Sequence, residues 1–164
     1  MIGDRWGVTD AETSRPYPCD EFVPKPVMQA WRAVTVHTTP DRVWPWIVQL
    51  RLAPYSYDWI DNLGRRSPHE LHRLPDPVPG DPFTATGGRP QGRVLSVVPG
   101  GHLTATIMGA VLSYVLVPDG NGSTRLVLKV AQPSWRLLGP FLCLGDLVMA
   151  RRQLSNLKRL AESI

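Results

Sequence analysis

The densest concentration of residues able to do chemistry is a run of aromatics with polar tips: Tyr55, Tyr57 and Trp59, with Asp58 between them. Trp46 lies shortly before this run and Tyr114 far after it. Such side chains bury a large apolar area and keep one polar atom with which to orient a bound molecule, although the same residues also make ordinary cores. Asp58 in that setting could serve as a proton acceptor; an aspartate so placed also commonly bonds a local backbone donor. His69-Glu70-Leu71-His72 puts two imidazoles three residues apart. The spacing differs from the H-E-x-x-H zinc helix, and only Asp76 and Asp81 follow as further oxygen ligands, so no metal and no cofactor is expected. His37 and His102 fall at the ends of strand-like segments, where a histidine either sits in solvent or acts as a general acid or base. The chain has no G-x-S-x-G, no P-loop and no dinucleotide fingerprint, which removes those hydrolase, NTPase and Rossmann readings.

These residues need elements to position them. Residues 29–37 alternate, with Ala30, Arg32, Val34 and Val36 on one face and Trp31, Ala33, Thr35 and His37 on the other, which predicts a strand. Thr38-Thr39-Pro40-Asp41 supplies a threonine cap, proline in the first turn and an early acid. It predicts a helix running to about residue 50 that buries Val43, Trp46, Ile47 and Leu50. Residues 54–64 read as a short helical turn ended by Gly64, and the proline-rich stretch 65–79 as a loop. Strands are predicted near 82–86, 91–98, 102–108, 111–117 and 124–131, with Asp119-Gly120-Asn121-Gly122 as the clearest hairpin signal. Leu112, Tyr114 and Leu116 share one face of their strand, as Leu126, Leu128 and Val130 do on the next. From 135 to 163 the period is helical, with Leu147, Ala150, Leu154, Leu157 and Ala161 on one stripe.

Composition bounds the class. A chain of 164 residues with 43% hydrophobic and 20% charged content is one ordinary globular domain. Residues 1–28 carry Pro16, Pro18, Pro24 and Pro26 and read as an extended arm; 29–164 read as the domain itself. The net charge of +4 is scattered, including Arg151, Arg152, Lys158 and Arg159 on the last helix, and forms no basic stripe, so no nucleic-acid partner is expected. The most apolar stretch, 137–150, is too short and broken to span a bilayer, and residues 1–8 hold no apolar core of a signal peptide. The two cysteines, Cys19 and Cys143, form neither a disulfide framework nor a zinc pattern, which fits a reducing cytoplasm.

Several of these segments together resemble a known family. Ala33-Val34-Thr35-Val36 followed by Thr39-Pro40-Asp41-Arg42-Val43-Trp44-Pro45-Trp46-Ile47 is similar to the strand–helix joint of the START-like, or SRPBCC, superfamily. The leader Trp6-Gly7-Val8-Thr9 with Pro18 to Pro24, the segment Tyr55 to Leu63, the Pro118–Leu126 hairpin and the helix around Met149–Leu154 resemble an uncharacterised actinobacterial-type branch that includes polyketide cyclase/dehydrase-like members. The resemblance implies an α+β helix-grip fold, a curved antiparallel sheet around a long C-terminal helix. It also implies an apolar cavity between the two, lined by Trp46, Tyr55, Tyr57, Trp59, Met108, Tyr114, Leu128, Phe141 and Leu144. Three functions stay open on one scaffold. The first is binding of a small hydrophobic molecule such as a lipid, polyketide or aromatic metabolite. The second is a cyclase/dehydratase-type enzyme using Asp58 or His102. The third is a non-catalytic interaction module. The expected assembly is a monomer or homodimer.

Overall fold

In the computed structural model the described residues are 4–55, 64, 66–134 and 139–163, with the backbone alone for 139–148. They form a seven-stranded sheet, followed in the chain by one long helix. The strands are β1 (Arg5–Trp6), β2 (Met28–Val36), β3 (Pro82–Thr86), β4 (Arg89–Val98), β5 (His102–Ile107), β6 (Ala110–Pro118) and β7 (Thr124–Gln132). Their order across the sheet is β1-β2-β7-β6-β5-β4-β3. Every pairing is antiparallel except that of β1 with β2. The helices are α1 (Asp10–Ser14), α2 (Pro40–Val48) and α3 (Gly139–Glu162), and α3 packs against β2 and α2. This is an α+β helix-grip fold.

Local chemistry explains the joints. Pro40 opens α2 with Thr39 before it, but the Thr39 hydroxyl makes no capping bond. Its carbonyl instead accepts from the amides of Arg42 and Val43. At the β6–β7 hairpin the Asp119 carboxylate accepts from the amides of Asn121 and Ser123, while Gly120 and Gly122 take the left-handed backbone that the turn requires. The strand expected to reach residue 108 stops at Ile107. Met108 and Gly109, with φ of 49° and 84°, are instead the two turn residues of the β5–β6 hairpin.

Alternation divides the sheet into two faces. The inner face carries the main core: Val36, Phe83, Val94, Leu103, Ala105, Leu112, Tyr114, Leu116, Leu126 and Leu128, closed by apolar residues of α2 and by Ala150, Leu154, Leu157, Leu160 and Ala161 of α3. The outer face carries a second cluster, in which Tyr17, Cys19 and Val23 of the arm cover Trp31, Ala33, Val111, Val127 and Ala131. The arm therefore packs on the face away from the helix. It is extended at its prolines, yet it includes α1, whose start a reciprocal capping box between Thr9 and Glu12 fixes and which ends at Ser14, before the first proline. A 3₁₀ turn, Pro18–Glu21, follows. Gly7 takes a φ of 71° where the arm crosses β2, and a Cβ there would run into the carbonyl oxygen of Ala33.

Candidate functional site

The inner cluster brings together four of the nine residues expected to line a cavity. Trp46 comes from the buried stripe of α2, Tyr55 from the segment after it, Tyr114 from β6 and Leu128 from β7; all four are buried. Trp46 and Tyr55 meet edge to face, with ring centroids 6.3 Å apart and planes at 82°. Phe83 of edge strand β3 lies 6.1 Å from the ring of Tyr114. Met108 is not among them: on its hairpin turn it is 73% exposed. Tyr57, Asp58 and Trp59, and the side chains of Phe141 and Leu144, lie outside the described residues.

The polar tips of the tyrosines are occupied by the protein itself. The Tyr114 hydroxyl donates to Gln153 Oε1 at 2.5 Å, and Gln153 Nε2 donates to the carbonyl of Pro54 at 2.6 Å. Asn156 Nδ2 donates to the carbonyl of Tyr55, whose φ of 57° turns the chain sharply there. Two amides one helical turn apart on α3 thus fix the Pro54–Tyr55 backbone against the core. The Tyr55 hydroxyl donates to the carbonyl of Pro68 and accepts from Gln49 Nε2. Gln49, fully buried just after α2, also donates to the Glu70 carbonyl at 2.7 Å and accepts from the His72 amide at 2.8 Å.

These bonds fasten residues 66–79 as a strap. Trp44 Nε1 donates to Asp76 at 2.8 Å, and Arg51 donates to the Pro75 carbonyl at 3.2 Å. Leu71 and Leu74 of the strap pack against the inner core. His69 and His72, considered above as metal ligands, belong to this strap. His69 Nδ1 stands 3.3 Å from Arg66, and among the described residues no group of three or more His, Cys, Asp or Glu could hold a metal ion.

The two histidines considered for proton transfer lie away from the aromatics. His102 alternates with inward-facing Leu103 and is on the outer face, its Nε2 3.4 Å from Ser96 Oγ. Burial lowers its pKa, and the negative charge of Glu21 works against that shift. His37 follows β2 and is exposed, and its amide donates to Glu162 Oε1. The cyclase-type reading thus has no histidine on the inner face among the described residues, and its other candidate, Asp58, lies outside them.

No family model matches the chain, and no curated protein matches it either. Solved structures do. A protein from Mesorhizobium loti superposes with a TM-score of 0.58 at 16% identity, over 83% of this chain and 98% of its own. A Rhodobacter sphaeroides protein gives 0.57 at 16% identity, over 83% and 93%. These are likenesses of fold. The Aha1 dimer from Colwellia psychrerythraea gives 0.51 at 16% identity, over 82% and 97%. At such identities the shared feature is one curved sheet closed by a C-terminal helix. No helix among the described residues is long and apolar enough to cross a membrane.

Proposed function

We propose that this protein binds a small hydrophobic molecule, such as a lipid, polyketide or aromatic metabolite, between the inner face of the sheet and α3. In this reading it is a START-like, SRPBCC-type binding protein. The observation that supports it best is the strap. Residues 66–79 lay Leu71 and Leu74 on the aromatic cluster and are fastened by the side chains of Trp44, Gln49, Arg51 and Tyr55. A cover tied down by side-chain bonds can lift without breaking a strand ladder, because a neutral bond contributes only about 1 kcal/mol net and one to a charged group such as Asp76 or Arg51 about 1.5–3 kcal/mol. Beneath it, Trp46, Tyr55, Phe83 and Tyr114 offer the large apolar surfaces that drive uptake, at about 25 cal/mol per Å² buried.

The test is native mass spectrometry of the purified protein, with extraction and identification of any copurified compound, followed by titration with the neutral fluorophore N-phenyl-1-naphthylamine. A stoichiometric apolar adduct, or saturable uptake of one fluorophore per chain, is the expected result. An apo mass together with no saturable uptake would rule the reading out.

A further inference from the structure

We infer that the molecule taken up by this site presents a hydrogen-bond acceptor, a ketone or ester carbonyl, to the indole nitrogen of Trp46. The inference rests on the binding reading above and names the ligand class for it. Trp46 is 1% exposed. Four buried members of the inner cluster carry a polar side-chain atom: Trp44, Trp46, Tyr55 and Tyr114. Trp44 donates to Asp76, Tyr55 to the Pro68 carbonyl and Tyr114 to Gln153. Trp46 Nε1 is buried and has no hydrogen-bond partner among the described residues. Among the described residues Trp31 Nε1, Arg51 Nε and Thr84 Oγ1 also lack one, but Trp31 belongs to the outer cluster, Arg51 is turned to the Pro75 carbonyl of the strap, and Thr84 alternates with Phe83 on β3, so its side chain leaves the sheet on the side opposite the cluster.

An indole nitrogen only donates, so its complement must be an acceptor. A buried donor left unpaired costs about 1–3 kcal/mol, and buried tryptophans normally find a partner. Beside the cluster, Gln49 and Gln153 each serve two or more partners. An unpaired indole donor in the inner cluster, beside Trp44, Tyr55 and Tyr114 whose polar tips are paired, matches a hydrophobic ligand that brings a carbonyl to that point.

The test compares 2-acetylnaphthalene with 2-ethylnaphthalene, two probes of nearly equal size that differ in the carbonyl. Affinities of both are measured for the wild-type protein and for Trp46→Phe, which keeps an aromatic ring and removes the donor. The ratio of ketone to hydrocarbon affinity should fall about tenfold in the variant, the equivalent of one neutral hydrogen bond. The hydrocarbon's own affinity should stay within about threefold. An unchanged ratio would overturn the inference and mean that the indole N–H is content against the ring of Tyr55. A second measurement needs no variant. In a ¹⁵N-indole spectrum of the wild type, which has six tryptophans, one N–H proton should move downfield with the ketone and not with the hydrocarbon. If neither probe binds the wild type, the binding reading itself falls and takes this inference with it.

Discussion

The two faces of the sheet are covered in opposite ways. On the outer face the cover is the arm, and its fastenings are charged. Arg125 of β7 holds Glu12 at 2.7 Å and also donates to the carbonyl of Gly7, while Lys129, two residues on, holds Asp20 at 2.5 Å. Lys129 also stands over the rings of Tyr17 and Trp31, at 5.6 and 5.2 Å. On the inner face α2 and α3 share the cover with the strap, whose fastenings are the Gln49 amide, the Tyr55 phenol, the Trp44 indole on Asp76 and Arg51 on a carbonyl, with no ion pair among them. A buried charge cannot be parted from its counter-ion cheaply, whereas a neutral hydrogen bond exchanges with water at small net cost. The arm is thus held by ion pairs and the strap by hydrogen bonds without one.

The largest expected effect tests the arm. Asp20→Ala strands the Lys129 ammonium, whose side chain is only 5% exposed, beneath the arm. We expect a loss of about 3 kcal/mol in a urea titration. The double variant with Lys129→Met should recover most of that loss, since an apolar chain of similar length fills the same place. A single-variant loss below about 1 kcal/mol, the range of an exposed ion pair, would mean that the arm lifts readily, and the contrast between the faces would collapse.

A smaller effect belongs to the strap. Gln49→Ala removes the bonds to Tyr55, Glu70 and His72 at once. Global stability should fall by about 1.5 kcal/mol. The sharper sign is local. Hydrogen exchange at the His72 amide should quicken at least about tenfold, the factor that 1.4 kcal/mol represents, while amides of β7 under the arm slow or quicken only with global stability. Uniform acceleration across the molecule would show that strap and sheet open as one unit.

How much of this contrast could be read in advance differs between its parts. The strand of residues 82–86, the Asp119 hairpin and the stripe of Ala150, Leu154, Leu157 and Ala161 follow from periodicity and turn chemistry, which act over a few residues. Trp46, Tyr55, Tyr114 and Leu128 were legible for the same reason: each sits at an inward position of a periodic element or beside one. Met108 was misplaced because a Met-Gly turn looks like continued strand until the pairing of Ile107 with Ala110 closes it. The helix in the arm was hidden by the prolines after it, although Thr9 and Glu12 stand at capping-box spacing. Gln153 and Asn156 could not be found at all. Their partners are backbone carbonyls 99 and 101 residues away, and no local pattern encodes so distant a bond.

The smallest expected effect concerns pH and isolates one fastening of the arm. The Arg125 guanidinium, bonded to Glu12, holds that carboxyl below its ordinary value of 4.5, and burial opposes the shift without cancelling it. A carboxyl depressed in the folded state favours folding when ionised. Its contribution is therefore complete above the ordinary value and is lost as pH falls through the depressed one. Glu162 is depressed as well: burial raises it, but the hydrogen bonds from Lys158 and the His37 amide prevail. Wild-type stability thus falls in acid for more than one reason. Glu12→Gln separates them, because it leaves Glu162 untouched. At neutral pH the variant should be less stable by about 1 kcal/mol, in the range of a partly exposed ion pair. The gap should close as the pH drops below 4.5, since protonated Glu12 and glutamine are then equivalent towards Arg125. Urea midpoints for the two proteins between neutral and acid pH would show it. A gap that persisted unchanged into acid would mean that the geometry of the Glu12 carboxyl, which also accepts from the Thr9 amide, matters more than its charge, and the outer face would then resemble the inner one more closely than its salt bridges suggest.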